Sequence, residues 1–101
     1  MPKMDIEYDD NDYQRLATDA ACTLGFDPSI VKSYRKKIQF IQNALTENDI
    51  RNMKSLHYEK LKGDRQHQHS MRINDQQRLI TETVDIDGTK RIKIINIENY
   101  H

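Results

Sequence analysis

The sequence predicts an α+β domain: a short N-terminal strand, two helices packed on one face of a mostly antiparallel sheet, and four to five strands in all. Three observations carry this. The first half repeats its apolar residues every three or four positions, as helices do. The second half, from about residue 57, changes to alternation, as half-buried strands do. Turn signals, KGD, NDQQ and DIDG, punctuate that second half at short intervals. Runs of helix followed by runs of strand give helices packed on one face of a sheet.

The elements follow in order. MDIEY alternates loosely and reads as the first strand. From Asp10 to Cys22, Tyr13, Leu16, Ala17, Ala20 and Ala21 recur at helical spacing, and Gly25 marks the stop. Asp27 is a good N-cap, and Pro28 suits the first helical position. Ile30, Tyr34, Ile38, Ile41 and Leu45 then form one apolar stripe, with Lys32, Arg35, Lys36 and Gln39 mostly off it. TEND ends that helix or starts a further short turn holding Ile50 and Met53. His57 to Leu61 reads as a strand. Gln68 to Ile73 alternates, with Met71 and Ile73 facing one side and Ser70, Arg72 and Asn74 the other. Arg78 to Ile86 is the next run, and the Asp-Gly of DIDG signals a hairpin into Ile92 to Ile97. Parity slips at Ile94–Ile95, which predicts a bulge or two-sided burial.

The chain has 101 residues, so residues 1–101 are expected to form a single domain. Apolar residues make up 36% and Trp is absent, so the core is modest. The single Cys22 rules out an internal disulfide and fits a reducing cytoplasm. The N-terminal residues lack the apolar region of a secretory signal, and no apolar run is long enough to span a bilayer. These features predict a cytoplasmic protein with no membrane partner.

A formal net charge of zero conceals an asymmetry. Residues 1–27 set Lys3 and Arg15 against Asp5, Glu7, Asp9, Asp10, Asp12, Asp19 and Asp27. Residues 51–78 set Arg51, Lys54, Lys60, Lys62, Arg65, Arg72 and Arg78 against Glu59, Asp64 and Asp75. A local basic stripe attracts phosphate even on a neutral protein, although a solvated surface of mixed charge fits the same counts.

Arg72 faces away from the Met71 and Ile73 side, and Lys62, Arg65 and Arg78 flank the adjoining turns. An open sheet face can therefore gather Lys62, Arg72 and Arg78, with Tyr100 and His101 arriving on the last strand. Those groups suit RNA cleavage by a 2′-hydroxyl. Cations stabilise the phosphorane, an imidazole moves protons near neutral pH, and a phenol orients a hydroxyl. Spacing alone favours reading them as ordinary solvated strand residues. His67-Gln68-His69 resembles part of a metal site, but further ligands are not evident and its neighbours are cationic, so no metal is assigned. The three glycines lack phosphate-loop spacing, and no cofactor is implied. Cys22 ends an amphipathic helix and reads as packing.

The stretch LKGDRQHQHSMRINDQQRLI resembles the central signature of HigB toxins, in the RelE/ParE superfamily. Those proteins show Leu-Lys-Gly-Asp-Arg, some polar residues, Ser-Ile-Arg-Ile-Asn, then an Arg opening the next strand. Here the parts are Leu61 to Arg65, Ser70 to Asn74, and Arg78. The family often ends Tyr-Glu-Asp-Tyr-His, and this chain ends Ile97, Glu98, Asn99, Tyr100, His101. The resemblance runs from about His57 to the end; the N-terminal half agrees only in pattern.

The resemblance implies a RelE-like fold and a toxin of a type II toxin–antitoxin system. It implies a ribosome-dependent mRNA interferase, an endoribonuclease acting at the decoding site without metal and inhibiting translation. A HigA-like helix-turn-helix antitoxin would block it, and the free toxin would be a monomer. By position, Lys62, Arg78, Tyr100 and His101 would be catalytic. Arg65 and Arg72, with His57, Lys60 and Glu59, would contact RNA. Two positions depart from the pattern: Glu59 stands where some members have His, with His57 two residues earlier, and Asn99 stands where many have Asp. A ParE-like gyrase inhibitor without nuclease chemistry, or a weakened member that only binds antitoxin or RNA, is the alternative.

Overall fold

The structure, a computed structural model, describes residues 4–86 and 88–99. Its strands are β1 (Asp5–Tyr8), β2 (Glu59–Lys60), β3 (Gln68–Arg72), β4 (Gln77–Ile86) and β5 (Thr89–Asn99). They form a five-stranded sheet in the order β1-β5-β4-β3-β2. Only the β1–β5 pair is parallel. The helices are α1 (Asn11–Thr18), α2 (Pro28–Asn43) and a short α3 (Glu47–Asn52). The α+β expectation therefore stands, with a third helix where the sequence suggested only a turn.

Local chemistry sets the boundaries. The Asp10 carboxylate caps α1 by accepting from the Asp12 amide. The helix stops earlier than its apolar spacing suggested because Asp19 turns to extended backbone and accepts the Ala21 amide on its own carboxylate. Pro28 opens α2 as expected, but the Asp27 side chain makes no capping bond; its carbonyl instead accepts from Ile30 and Val31. Thr46 and Asp49 form a reciprocal capping box that starts α3. The strand expected over His57 to Leu61 shrinks to Glu59–Lys60, because His57 adopts a left-handed φ of 49°.

The core lies between the helices and one sheet face. Leu16, Tyr34, Ile41, Ile50, Met71, Leu79, Ile92 and Ile94 have 0% exposure. The fully buried Tyr34 ring spends its hydroxyl on the Tyr13 carbonyl at 2.8 Å. Arg35, expected on a solvated helix face, instead donates to the carbonyls of Leu16, Asp19 and Cys22 (2.9, 2.9 and 3.2 Å), closing the open C-terminal end of α1.

The predicted bulge falls at Ile95. Thr81 pairs with Ile94 but Ile80 pairs with Asn96, so β5 carries one extra residue. Past the end of β1, the Tyr13 hydroxyl accepts the Ile97 amide at 3.1 Å.

Candidate nucleic-acid interface

The helices cover the face carrying Met71, Leu79, Ile92 and Ile94, which leaves the alternate positions on the other face. The β3–β4 register puts Gln68 opposite Glu82, Ser70 opposite Ile80, and Arg72 opposite Arg78. Glu59 faces Ser70 from β2, and Glu98 faces Arg78 from β5. Glu59, Arg72, Arg78 and Glu98 thus share the open face. Directly opposed cross-strand side chains have Cβ atoms about 4.5–5.5 Å apart, so Arg78 stands between Arg72 and Glu98 within side-chain reach of both.

Arg65 enters this face from the turn at Gly63–Arg65, where Gly63 takes a φ of 69° that suits glycine. Its Nε donates to Gln68 Oε1 at 2.9 Å, and its two terminal nitrogens hold both oxygens of Glu98 at 2.9 and 2.8 Å. Gln68 lies on β3 and Glu98 on β5, so the guanidinium crosses β4 at the level of Ile80. Ile80, on that open face, is only 3% exposed. Arg72 pairs with Asp75 from the following turn. Gln77 donates to Asn99 Oδ1 at 2.6 Å, which fixes the last described residue beside the Arg78 end of β4.

The remaining predicted residues are dispersed. Lys62 is exposed immediately before the Gly63–Arg65 turn, and its carbonyl accepts the Arg65 amide at 3.4 Å. Lys60 pairs in register with His69 and so falls on the opposite parity from Glu59. His57 is exposed in the loop before β2. Tyr100 and His101 lie outside the described residues. His67 and His69 have different surroundings: His67 is 3.8 Å from Glu82, whereas His69 stacks on Tyr58 with centroids 4.5 Å apart.

Two features were not foreseen from the sequence. One is Glu98, whose role as partner to Arg65 depends on a contact across 33 positions. The other is a polar cluster on the helix side of the sheet. Glu47 Oε2 accepts from the Tyr58 and Thr83 hydroxyls at 2.8 and 2.9 Å, with Arg51 at 3.5 Å. Burial pushes the Glu47 carboxyl up, but those hydroxyls, Arg51 and His69 together hold it below the usual range. Burial lowers His69 and raises Tyr58, so the phenol remains a donor. Nearby, a cleft of about 470 Å³ is lined by Met4, Leu45, Thr46, Glu47, Asn48, Arg51, Gly88, Thr89 and Lys90. None of the predicted site residues that are described lines it.

The mixed sheet with helices on one face and arginines on the open one is similar to the fold of YoeB/ParE toxins. The family described as HigB-like toxin, a RelE-like toxin of type II toxin-antitoxin system HigB, matches residues 6–92, and the chain belongs to that family. The match takes in the N-terminal half as well as the central motif. It stops short of Glu98. No curated protein sequence matches the chain. Among solved structures, a YoeB/ParE toxin from Agrobacterium tumefaciens is similar at 20% identity and TM-score 0.59, covering 97% of this chain and 100% of that one. The YoeB dimer from Staphylococcus aureus is similar at 24% identity and TM-score 0.54, covering 99% of both chains. A YoeB-YefM complex from the same organism gives 21% identity and TM-score 0.52, again covering 99% of both. No helix among the described residues is long and apolar enough to cross a membrane.

Proposed function

We propose that this toxin is a ribosome-dependent mRNA endoribonuclease that inhibits translation. A 2′-hydroxyl attacks the adjacent phosphodiester, and side chains supply the acid, base and cations without calling on a metal. Lys62 and Arg78 stabilise the phosphorane. Tyr100 orients the nucleophile or the base edge, and His101 acts as general acid or base. Arg65 and Arg72, with His57, Lys60 and Glu59, contact RNA. The observation that carries this reading is the cross-strand pair Arg72–Arg78 on an open sheet face, with Arg65 anchored across it. Guanidinium groups suit phosphate oxygens in geometry as well as charge.

A HigA-like helix-turn-helix antitoxin is the proposed partner, and the free toxin is taken as a monomer. The similar YoeB-YefM complex supports a toxin of this fold having a protein partner. The test replaces His101 with Gln, or deletes Tyr100 and His101, and expresses the variant without antitoxin. Growth arrest and cleavage of ribosome-bound mRNA should both fall sharply. Undiminished arrest and cleavage would overturn the assignment.

A ParE-like gyrase inhibitor is the second reading, favoured by the YoeB/ParE description of a similar structure. DNA-damage signalling without mRNA cuts would support it over the nuclease.

A further inference from the structure

Glu98 occupies an unusual place for an acid. It lies opposite Arg78 in the register, with Arg72 on the far side of Arg78. Its two oxygens fill the fork of Arg65 at 2.9 and 2.8 Å. A carboxylate bound in this bidentate way presents to the guanidinium the same two-oxygen edge that a phosphodiester presents. Both partners are also partly open to water, with side-chain exposures of 44% for Arg65 and 34% for Glu98. At that exposure solvent screens part of the pair's attraction, so a phosphodiester can compete for the fork.

We propose that Glu98 is a built-in competitor for a phosphate site on the open face. Its carboxylate holds the Arg65 fork until an RNA phosphodiester displaces it. The inference rests on the RNA-directed reading above and adds to it a specific subsite and a residue that tunes its affinity. Displacement moves no proton and breaks no covalent bond. The Arg65 fork passes from carboxylate to phosphate while Gln68 Oε1 keeps hold of its Nε, so the guanidinium stays over β4 throughout. The contact therefore lowers RNA affinity by occupying the donor fork.

The experiment measures binding of a fluorescein-labelled single-stranded RNA, with 2′-O-methyl groups to prevent cutting, by anisotropy on the full chain. Wild type, Glu98→Gln, Arg65→Ala and the double variant are compared at two salt concentrations, with Asp85→Asn on the same strand pair as a charge control. Glu98→Gln is expected to bind up to about fivefold more tightly than wild type, the ceiling set by an exposed ion pair. The gain should vanish in the Arg65→Ala background and exceed that of Asp85→Asn. Equal or weaker binding by Glu98→Gln overturns the proposal. So does a gain that survives without Arg65 or that Asp85→Asn reproduces, and so does a wild type and Glu98→Gln that both fail to bind. Tighter binding with uncut mRNA on purified ribosomes would leave the competition standing and remove the nuclease reading. Normal cutting with no gain in Glu98→Gln would do the reverse.

Discussion

Replacing Tyr58 with Phe removes one hydroxyl, shared between Glu47 and Thr83, from the cluster that ties α3 to the sheet. The ring remains and keeps its stack on His69, at 4.5 Å and an interplanar angle of 6°. Only the hydroxyl that donates to Glu47 at 2.8 Å is lost. Hydrogen bonds to charged groups contribute about 1.5–3 kcal/mol. Glu47 is 11% exposed and keeps Thr83 and Arg51, so the loss should fall lower, at about 1–2 kcal/mol at pH 7. For a chain of this size that is a drop in Tm on the order of 5–15 °C. The effect should depend on pH. Folding holds the Glu47 carboxyl below its ordinary 4.5, so its stabilisation is complete above that value and fades as pH falls through the lower folded value. The Tyr58 bond is one cause of that depression, so the gap between wild type and variant should narrow at pH 3–4. Urea unfolding followed by circular dichroism at pH 7 and pH 3.5 measures both quantities. A loss below about 0.5 kcal/mol at pH 7, or a gap that ignores pH, would refute the charge-assisted account.

Two further outcomes are expected. His69→Phe should keep the stack on Tyr58 and remove a pH-dependent loss of stability. Burial lowers the imidazole below its ordinary 6.5 against the pull of Glu47, with Arg51 and Lys60 adding to the lowering; wild type should therefore weaken as pH falls from about 6.5 to 5, and the variant should not, by denaturant midpoints. Deleting Ile95 should leave amide dispersion and cooperative urea unfolding in place at a cost below about 3 kcal/mol, because removing the extra residue lets β5 alternate strictly with Ile97 still facing the core and Glu98 still outward; collapse of the dispersed spectrum would refute the register.

Much of this architecture was legible because periodicity reports burial. The α2 stripe is buried as the spacing predicts from Ile30 to Ile41, but its last member, Leu45, lies past the end of the helix at Asn43 and is exposed; the shift to alternation after residue 57 marks the sheet. Arg72 and Arg78 were legible for the same reason, since alternation placed Arg72 opposite Met71 and the short turn brought Arg78 beside it. Contacts between distant segments were not legible. Nothing local to Arg35 says that it closes α1, nothing local to Glu47 says that Tyr58 and Thr83 will donate to it, and β1 gives no local sign that it pairs in parallel with β5. The helix limits at Thr18 and the short β2 turned on side-chain and left-handed backbone geometry at Asp19 and His57, which apolar spacing does not encode.

The bulge joins the readable part to the unreadable part. Ile92 and Ile94 face the core, and strict alternation would send Asn96 and Glu98 after them. The extra residue at Ile95 reverses the phase. Ile97 then packs against the core, and Asn96 and Glu98 emerge on the open face opposite Ile80 and Arg78. The parity slip at Ile94–Ile95 was visible in the sequence as a local irregularity. Its consequence is an acid delivered to the arginine face, where Arg65 closes on it across β4. A one-residue insertion in a strand therefore sets both the packing of the sheet's last turn inward and the charge of its site outward. That coupling makes the face depend on the bulge as well as on the identity of its arginines.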